Sequence, residues 1–391
     1  MSLRNYVMRL MHKVLFNLGL FVAVLILIYA FFLRENVSYG IHDNHEHSTH
    51  TSDSKNEHSE INSEKVTESI KKNEEVSLWC IFTKVDKNTN LKYKFETFSK
   101  SILPKSSKPI ILNVITDNAS RPYAEEVLAD IQKKEKFHNV VFHDVSQLAE
   151  KLKQLVSIMS PHFSSRPGTY YSDALFFLSL GLHHIISPID DHGGKAIMMD
   201  IDVKVMGDIA ELWSEFDSFK PTELFGLGPE LSPVYRHVFH TFRSSHPDTR
   251  IGEPISEQGY PGVNSGVILL NLDGMRKSKL YAQFIGDNPP QAEDELRSKV
   301  EEGQDRIVSV EELVKKYSFR GHLGDQDFYT LLGAEHPEIL HILPCTWNRQ
   351  LCTWWGDKAG YGDVFDRYFK CEGKIKVYHG NCNTPFPEEA K

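Results

Sequence analysis

The sequence lacks the surplus of positive charge that a nucleic-acid partner would need. It has 44 Lys and Arg against 53 Asp and Glu, a formal net charge of −9. Without a basic field nothing recruits a phosphate backbone, so that class of partner is excluded. Cysteine is also scarce, with five in 391 residues. That excludes a disulfide-dense scaffold, and the absence of any Cys-x-x-Cys pair argues against a zinc site. No internal repeat is visible. What remains is an ordinary globular composition, 40% hydrophobic and 11% aromatic, able to bury a large core.

The charge is unevenly spread. Arg4, Arg9, Lys13 and Arg34 give residues 1–34 a charge of +4 with no acid, leaving −13 for the remainder. Between them, Val14 to Leu33 is a run of twenty residues without a charge. At about 1.5 Å per residue, a helix of that length crosses a hydrocarbon core of about 30 Å. The positive-inside rule predicts a cytosolic tail at 1–13, a single-pass signal anchor at 14–33 and a luminal body, a type II arrangement. A cleaved signal peptide is the rival. Its apolar region would be shorter, and no small-x-small cleavage site follows Leu33.

Residues 35–77 are polar with almost no large apolar side chain, so they cannot offset their ordering entropy and read as a flexible luminal stem. His42, His45, His47, His50 and His58 fall in this stem, and without an ordered scaffold they read as a solvated tether rather than a metal site. Of the two sequons, Asn36-Val37-Ser38 lies too near the membrane, and Asn118-Ala119-Ser120 is the better luminal candidate. Cys345, Cys352, Cys371 and Cys382 cluster near the end, while Cys80 stands alone. Two bridges suit an oxidising lumen. Four cysteines allow three pairings and sequence does not choose among them; 345–371 with 352–382 is a guess.

From residue 78 to 391 the pattern is that of one α/β catalytic unit. Strands are expected at Leu78–Thr83, Pro109–Thr116, Val140–Val145, Lys195–Asp202, Val267–Asn271, Ile339–Leu343 and Lys374–Tyr378. Helices are expected over Tyr123–Phe137 and Ser146–Met159, with a buried one at Ser172–Ile186. Residues 287–315 read as a helical surface insertion and Pro385–Lys391 as a short tail. Such alternation predicts a largely parallel sheet covered on both faces, with ligands beyond the carboxyl ends of its strands.

Ile197-Met198-Met199-Asp200-Ile201-Asp202 runs an apolar strand into two carboxylates, which alternation points to one side. Such a pair repels itself unless a cation neutralises it. A lone Asp-x-Asp is also what a solvated turn looks like, and Val203-Lys204 instead of a following Thr argues against a phosphatase-type nucleophile. Further along come Gly262-Val263-Asn264-Ser265-Gly266, expected as a Gly-flanked turn into the next strand, and Gly324-Asp325-Gln326-Asp327, expected as a polar loop before a helix. Tyr378-His379-Gly380-Asn381 ends the final strand with an imidazole.

The ordered set, across roughly Leu78 to the end, resembles the family 8 glycosyltransferases, which are retaining, nucleotide-sugar-dependent enzymes of GT-A fold. Phe82-Thr83-Lys84, Gly168 to Ala174, His240-Thr241-Phe242-Arg243 and His379-Gly380-Asn381-Cys382 resemble its xyloside α-1,3-xylosyltransferase branch. The resemblance implies a Mn²⁺ held by Asp200, Asp202 and His379, a ligand set that suits Mn²⁺ better than Mg²⁺. It implies donor contacts from Phe82, Thr83, Lys84, Ile201, Asn264, Ser265, Asp325, Gln326 and Asn381, with Gln326 and Asp325 as the catalytic pair.

The same resemblance implies transfer of xylose from UDP-xylose to xylose-glucose-O-Ser on folded EGF repeats of the Notch type. Its setting would be the endoplasmic reticulum membrane, with the Golgi as alternative because no retention tetrapeptide ends the chain; a homodimer is left open. His240, Thr241, Phe242, Arg243, Trp354 and Trp355, with Trp347, are acceptor candidates, and the tryptophans read equally as core. Gln326 is a poor nucleophile, so same-face substitution is expected over double displacement. Asp173 stands where many members have Arg, and serves either the donor pocket or a helix cap. The rivals are a glucoside xylosyltransferase or glucosyltransferase of the same family, and a non-catalytic glycan-binding protein.

Overall fold

Alternating apolar residues make the strands, and each strand divides them between two cores. In β1 (Val76–Phe82) Val76, Leu78, Cys80 and Phe82 face one layer while Trp79 faces the other. β4 (Lys195–Met199) splits Ile197 and Met199 from Ala196 and Met198, and β7 (Val263–Asn271) splits Val267 and Leu269 from Ile268 and Leu270. A sheet buried on both faces needs such two-sided apolar strands. This computed structural model describes residues 75–86, 88–133, 139–164, 175–188, 193–287, 307 and 309–388. The expected anchor, nearly all of the stem, the segment Gly168 to Ala174 with Asp173, and 288–306 of the insertion lie outside the described residues. Among those described, no helix is long and apolar enough to cross a membrane.

The seven-stranded sheet runs in the order β3-β2-β1-β4-β7-β6-β8, with β2 at Ile110–Thr116, β3 at Asn139–Asp144, β6 at Phe225–Pro229 and β8 at Leu340–Ile342. All neighbours pair in parallel except β7, which is antiparallel to both β4 and β6. A second sheet joins β5 (Val203–Val205), β10 (Val377–His379) and β9 (Arg349–Gln350). The expected mostly parallel α/β layer architecture is therefore present. Helix α1 (Asn90–Ile102) buries Phe95, Phe98 and Ile102, and Phe95 stacks on Phe82 at 4.4 Å. Helix α2 (Arg121–Gln132) buries Ala124, Leu128 and Ile131, matching the expected stripe.

Several expected elements differ. The helix over 146–159 is two, Val145–Lys151 and Lys153–Phe163, because Leu152 leaves helical geometry at φ −97°, ψ 7°. Of the buried helix expected over Ser172–Ile186, residues 172–174 lie outside the described residues; Leu175 and Phe176 are helical, and a 3₁₀ turn, Ser179–Gly181, then leads into Leu182–Ile185. The two breaks meet: a Cβ on Gly181 would lie 2.2 Å from Leu152. β4 stops at Met199, so Asp200 and Asp202 sit in the turn to β5 rather than on the strand. Asn264 to Gly266 belong to β7 itself, not to a turn before it. The last strand, β10, leaves the main sheet for the small one. Both bridges form, Cys345–Cys371 and Cys352–Cys382, while Cys80 is buried and free.

Candidate active site

Sheet register assembles the site. β4 pairs Met199 with Val267, and the Asp200 N–H then donates to the Gly266 carbonyl at 3.0 Å. β10 runs antiparallel to β5 with His379 opposite Val203, and the Gly380 N–H donates to the Asp202 carbonyl at 2.8 Å. The imidazole is thereby delivered to the acidic turn. One oxygen from each carboxylate and one ring nitrogen lie within 4.8 Å of one another. His379 Nε2 is 3.7 Å from Asp200 Oδ2 and 3.4 Å from Asp202 Oδ1. The ring is buried, whereas the Asp200 side chain is 60% exposed, so the cluster opens to solvent on the Asp200 side.

Two neighbours fix the ring. Asn348 Nδ2 donates to both the carbonyl and the side-chain oxygen of Asn264, at 3.2 and 2.9 Å, which leaves Asn348 Oδ1 to accept from His379 Nδ1 at 3.0 Å. With Nδ1 carrying that hydrogen, Nε2 presents its lone pair to the carboxylates in the neutral ring. Gly266 is the floor beneath: a Cβ there would stand 2.3 Å from His379 Cε1. Against burial, which favours the neutral ring, the hydrogen bond to Asp202 and then its charge raise the His379 pKa. Against its own burial, Asp202 is held well below the usual carboxylate range by His379 and Lys94. Positive charge is thus drawn to this spot. Two carboxylate oxygens and one imidazole nitrogen are a donor set that a divalent ion accepts in place of a proton.

Around the cluster lies a network of amides and acids. Helix α3 (Asp325–Glu335) starts at the expected Asp-Gln-Asp, which is its first turn rather than a preceding loop. Gln326 Oε1 accepts from the Ser265 N–H at 3.2 Å, and its Nε2 donates to Glu230 Oε2 at 3.3 Å. Glu230 Oε2 also accepts from Asn264 Nδ2 at 3.0 Å, and Oε1 accepts from the Ser232 hydroxyl at 2.6 Å. Asp325 accepts from Ser265 at 3.0 Å and Ser179 at 2.5 Å, and burial pushes its carboxyl up to about 7. Glu230 is likewise raised by burial. A register shift at Leu227/Gly228, where β6 meets β7, precedes Glu230 at the strand's carboxyl end.

The structure therefore brings Asp200, Asp202 and His379 together, and joins Asn264, Ser265, Asp325 and Gln326 in one network with Glu230. Ile201 is half-buried between the two aspartates. Phe82 is core, Thr83 is buried at the strand end, and Lys84 takes φ +60° with its N–H donating to Asp117 Oδ2 at 2.7 Å. Asn381 Oδ1 accepts from the Leu351 and Cys352 amides at 3.0 and 2.9 Å. Of the acceptor candidates, Phe242 is buried against Tyr317, Arg243 pairs with Glu253, and Trp347 and Trp355 are buried. His240, Thr241 and Trp354 are exposed, Trp354 at 58%. In the Asn118 sequon, Ser120 is buried and its hydroxyl takes the Val85 amide.

Sequence reasoning missed Glu230, Asn348 and Lys94. Glu230 had a signal, a lone acid closing an apolar strand as Asp200 does; Asn348 had none. A second grouping of possible ligands, His183, His184 and Asp287, also forms. There His184 Nε2 and Asp287 Oδ2 are already in direct contact at 2.5 Å.

A mostly parallel sheet with this acidic turn beyond the carboxyl end of a central strand defines a glycosyltransferase of GT-A-like architecture. The bifunctional glycosyltransferase WbbM shares that fold, with a TM-score of 0.51 at 13% identity over 79% of this chain and 46% of its own. No protein-family model matches the chain. It is 44% identical over 318 residues to human "Xyloside xylosyltransferase 1", covering 80% of this chain and 75% of that protein. The crystal structure of the mouse xyloside xylosyltransferase 1 apo form matches at TM-score 0.70, covering 80% of this chain and all of that one. The chain belongs to the xyloside xylosyltransferase family, and it is a transferase.

Proposed function

We propose that the chain is a retaining α-1,3-xylosyltransferase, transferring xylose from UDP-xylose to the xylose of xylose-glucose-O-Ser on folded EGF repeats. The observation that carries the reading is the convergence of Asp200, Asp202 and His379 beside the held amide of Gln326. Asp200, Asp202 and His379 would hold Mn²⁺. Bound there, the ion supplies Lewis-acid stabilisation of a departing diphosphate.

The chain's own residues do the positioning. Ser265 and Glu230 clamp the two ends of the Gln326 amide, so its oxygen stays on the Ser265 side. An amide so held is a poor nucleophile. Asp325 has both oxygens occupied by hydroxyl donors, and burial pushes its carboxyl up to about 7. Neither suits attack on the anomeric carbon, which favours same-face substitution through an oxocarbenium-like state. Exposed Trp354, with Lys358 Nζ 4.4 Å over its ring, offers an aromatic face for an acceptor. The anchor, the luminal orientation and the endoplasmic reticulum setting belong to the same proposal.

The test incubates the full chain with an EGF repeat carrying xylose-glucose and with several UDP-sugars, and reads the mass gain. A pentose from UDP-xylose only, lost in Asp200→Ala, is expected. A hexose gain would favour a glucosyltransferase of the wider family, and no gain with any donor would favour a glycan-binding protein.

A further inference from the structure

We propose that Lys94 is a resident counter-ion that couples metal capture to the nucleotide diphosphate, holding Asp202 until a divalent cation takes that carboxylate and then turning to the phosphates. This rests on the donor reading above. Lys94 Nζ donates to Asp202 Oδ2 at 3.1 Å, while His379 Nε2 approaches the other oxygen, Oδ1, at 3.4 Å. Lys94 therefore holds one oxygen of this ligand, and the other stays on the His379 side. The Lys94 and Asp202 side chains are only 17% and 21% exposed, so salt and water screen the pair weakly.

The backbone of Lys94 is fixed by its helix, whereas its ammonium is held through its bond to Asp202. α1 is anchored by Phe95, Phe98 and Ile102, by Ser101 Oγ accepting from the Val205 N–H, and by Lys105 Nζ donating to the Val205 carbonyl. The Lys94 head rides a flexible four-carbon stem. It borders a cavity of about 400 Å³ that Asp202, Lys204 and the segment 383–388 also line, which leaves room for the head to change partner beside the carboxylate.

Charge balance favours the exchange. Asp200 and Asp202 carry two negative charges, which a divalent ion cancels. A nucleoside diphosphate brings at least two more, and an ammonium in contact with the cluster offsets part of them. Without nucleotide, the incoming metal must share Asp202 with an ammonium already on its other oxygen, and so binds weakly. Linkage makes the effect reciprocal: metal and diphosphate each strengthen the other's binding, by an amount that Lys94 sets.

The experiment titrates Mn²⁺ into the full chain, with and without UDP, following free Mn²⁺ by electron paramagnetic resonance in wild type, Lys94→Met and Lys94→Arg. UDP should tighten Mn²⁺ binding to wild type by about tenfold or more. In Lys94→Met, Mn²⁺ alone should bind at least about threefold more tightly, and the gain from UDP should shrink to below about threefold. Lys94→Arg should behave as wild type. Lys94→Gln replaces Lys94→Met if the latter fails to fold, judged by near-UV circular dichroism. A neutral variant with wild-type Mn²⁺ affinity and the wild-type gain from UDP would overturn the coupling role while leaving the donor reading intact. No Mn²⁺ binding by wild type in the presence of UDP would overturn the donor reading, and this proposal with it.

Discussion

Asn348 Oδ1 accepts from His379 Nδ1 at 3.0 Å, and Asn348 is held in that orientation because its Nδ2 is committed to Asn264. The tautomer of His379 is thus set by an amide from the bend just before β9. Asn348→Ala should fold with two orphaned groups and weaken metal affinity roughly 10–100-fold, the usual penalty for losing such an outer partner. Activity should return largely on raising Mn²⁺, with kcat near wild type at saturation. An unchanged Mn²⁺ dependence would remove Asn348 from the site.

Glu230 accepts the side-chain amides of both Asn264 and Gln326 on one oxygen. Glu230→Ala leaves each amide without its buried acceptor, at about 1–3 kcal/mol apiece, and lets Gln326 turn. Transfer kcat should fall roughly tenfold or more with little change in KM for UDP-xylose, because an orientation is lost rather than a donor contact. Glu230→Gln should keep most activity, since its carbonyl oxygen can take the Oε2 place while its amide donates to Ser232. Equal losses in both variants would indicate that the charge, not the geometry, matters.

The acidic turn was legible because an apolar run into charge is a local pattern, and Asp200-Ile201-Asp202 follows Met199 without a break. The partners were legible only as separate motifs. What brings them together is non-local: β7 runs antiparallel against β4, and β10 joins a second sheet to reach Val203. Asn348 precedes a two-residue strand, too short for any period to show. For Asn381, which the resemblance implies as a donor contact, the structure shows its Oδ1 accepting from the Leu351 and Cys352 amides.

Asp327 is fully buried, accepting from Tyr235 OH at 2.9 Å and the Leu323 N–H at 2.7 Å, and burial pushes its carboxyl up to about 7. Its folded pKa lies above the unfolded value of about 3.9, so the folded state binds the extra proton between them. The contribution to stability is whole below the unfolded value and is lost as pH rises toward 7, the reverse of a salt-bridged aspartate. Thermal midpoints measured from pH 4.5 to 7.5 should decline less steeply in Asp327→Asn than in wild type. Parallel profiles would show that Asp327 does not titrate in this window.

The two disulfides should separate stability from function. Their sequence separations are similar, 26 residues for Cys345–Cys371 and 30 for Cys352–Cys382. Chain-entropy reasoning gives each about 3.5 kcal/mol, so removing either pair by double alanine substitution should lower the thermal midpoint by similar amounts. Only Cys352–Cys382 ties down the chain just past His379, alongside the Asn381 hydrogen bonds to Leu351 and Cys352. Losing it frees the end of β10 and, with it, the position of the imidazole against Asp202. At a temperature where both variants are folded, Cys352→Ala/Cys382→Ala should need several-fold more Mn²⁺ for half-maximal transfer, and Cys345→Ala/Cys371→Ala should not. The same Mn²⁺ requirement in both would mean that the second sheet holds His379 without help from its bridge.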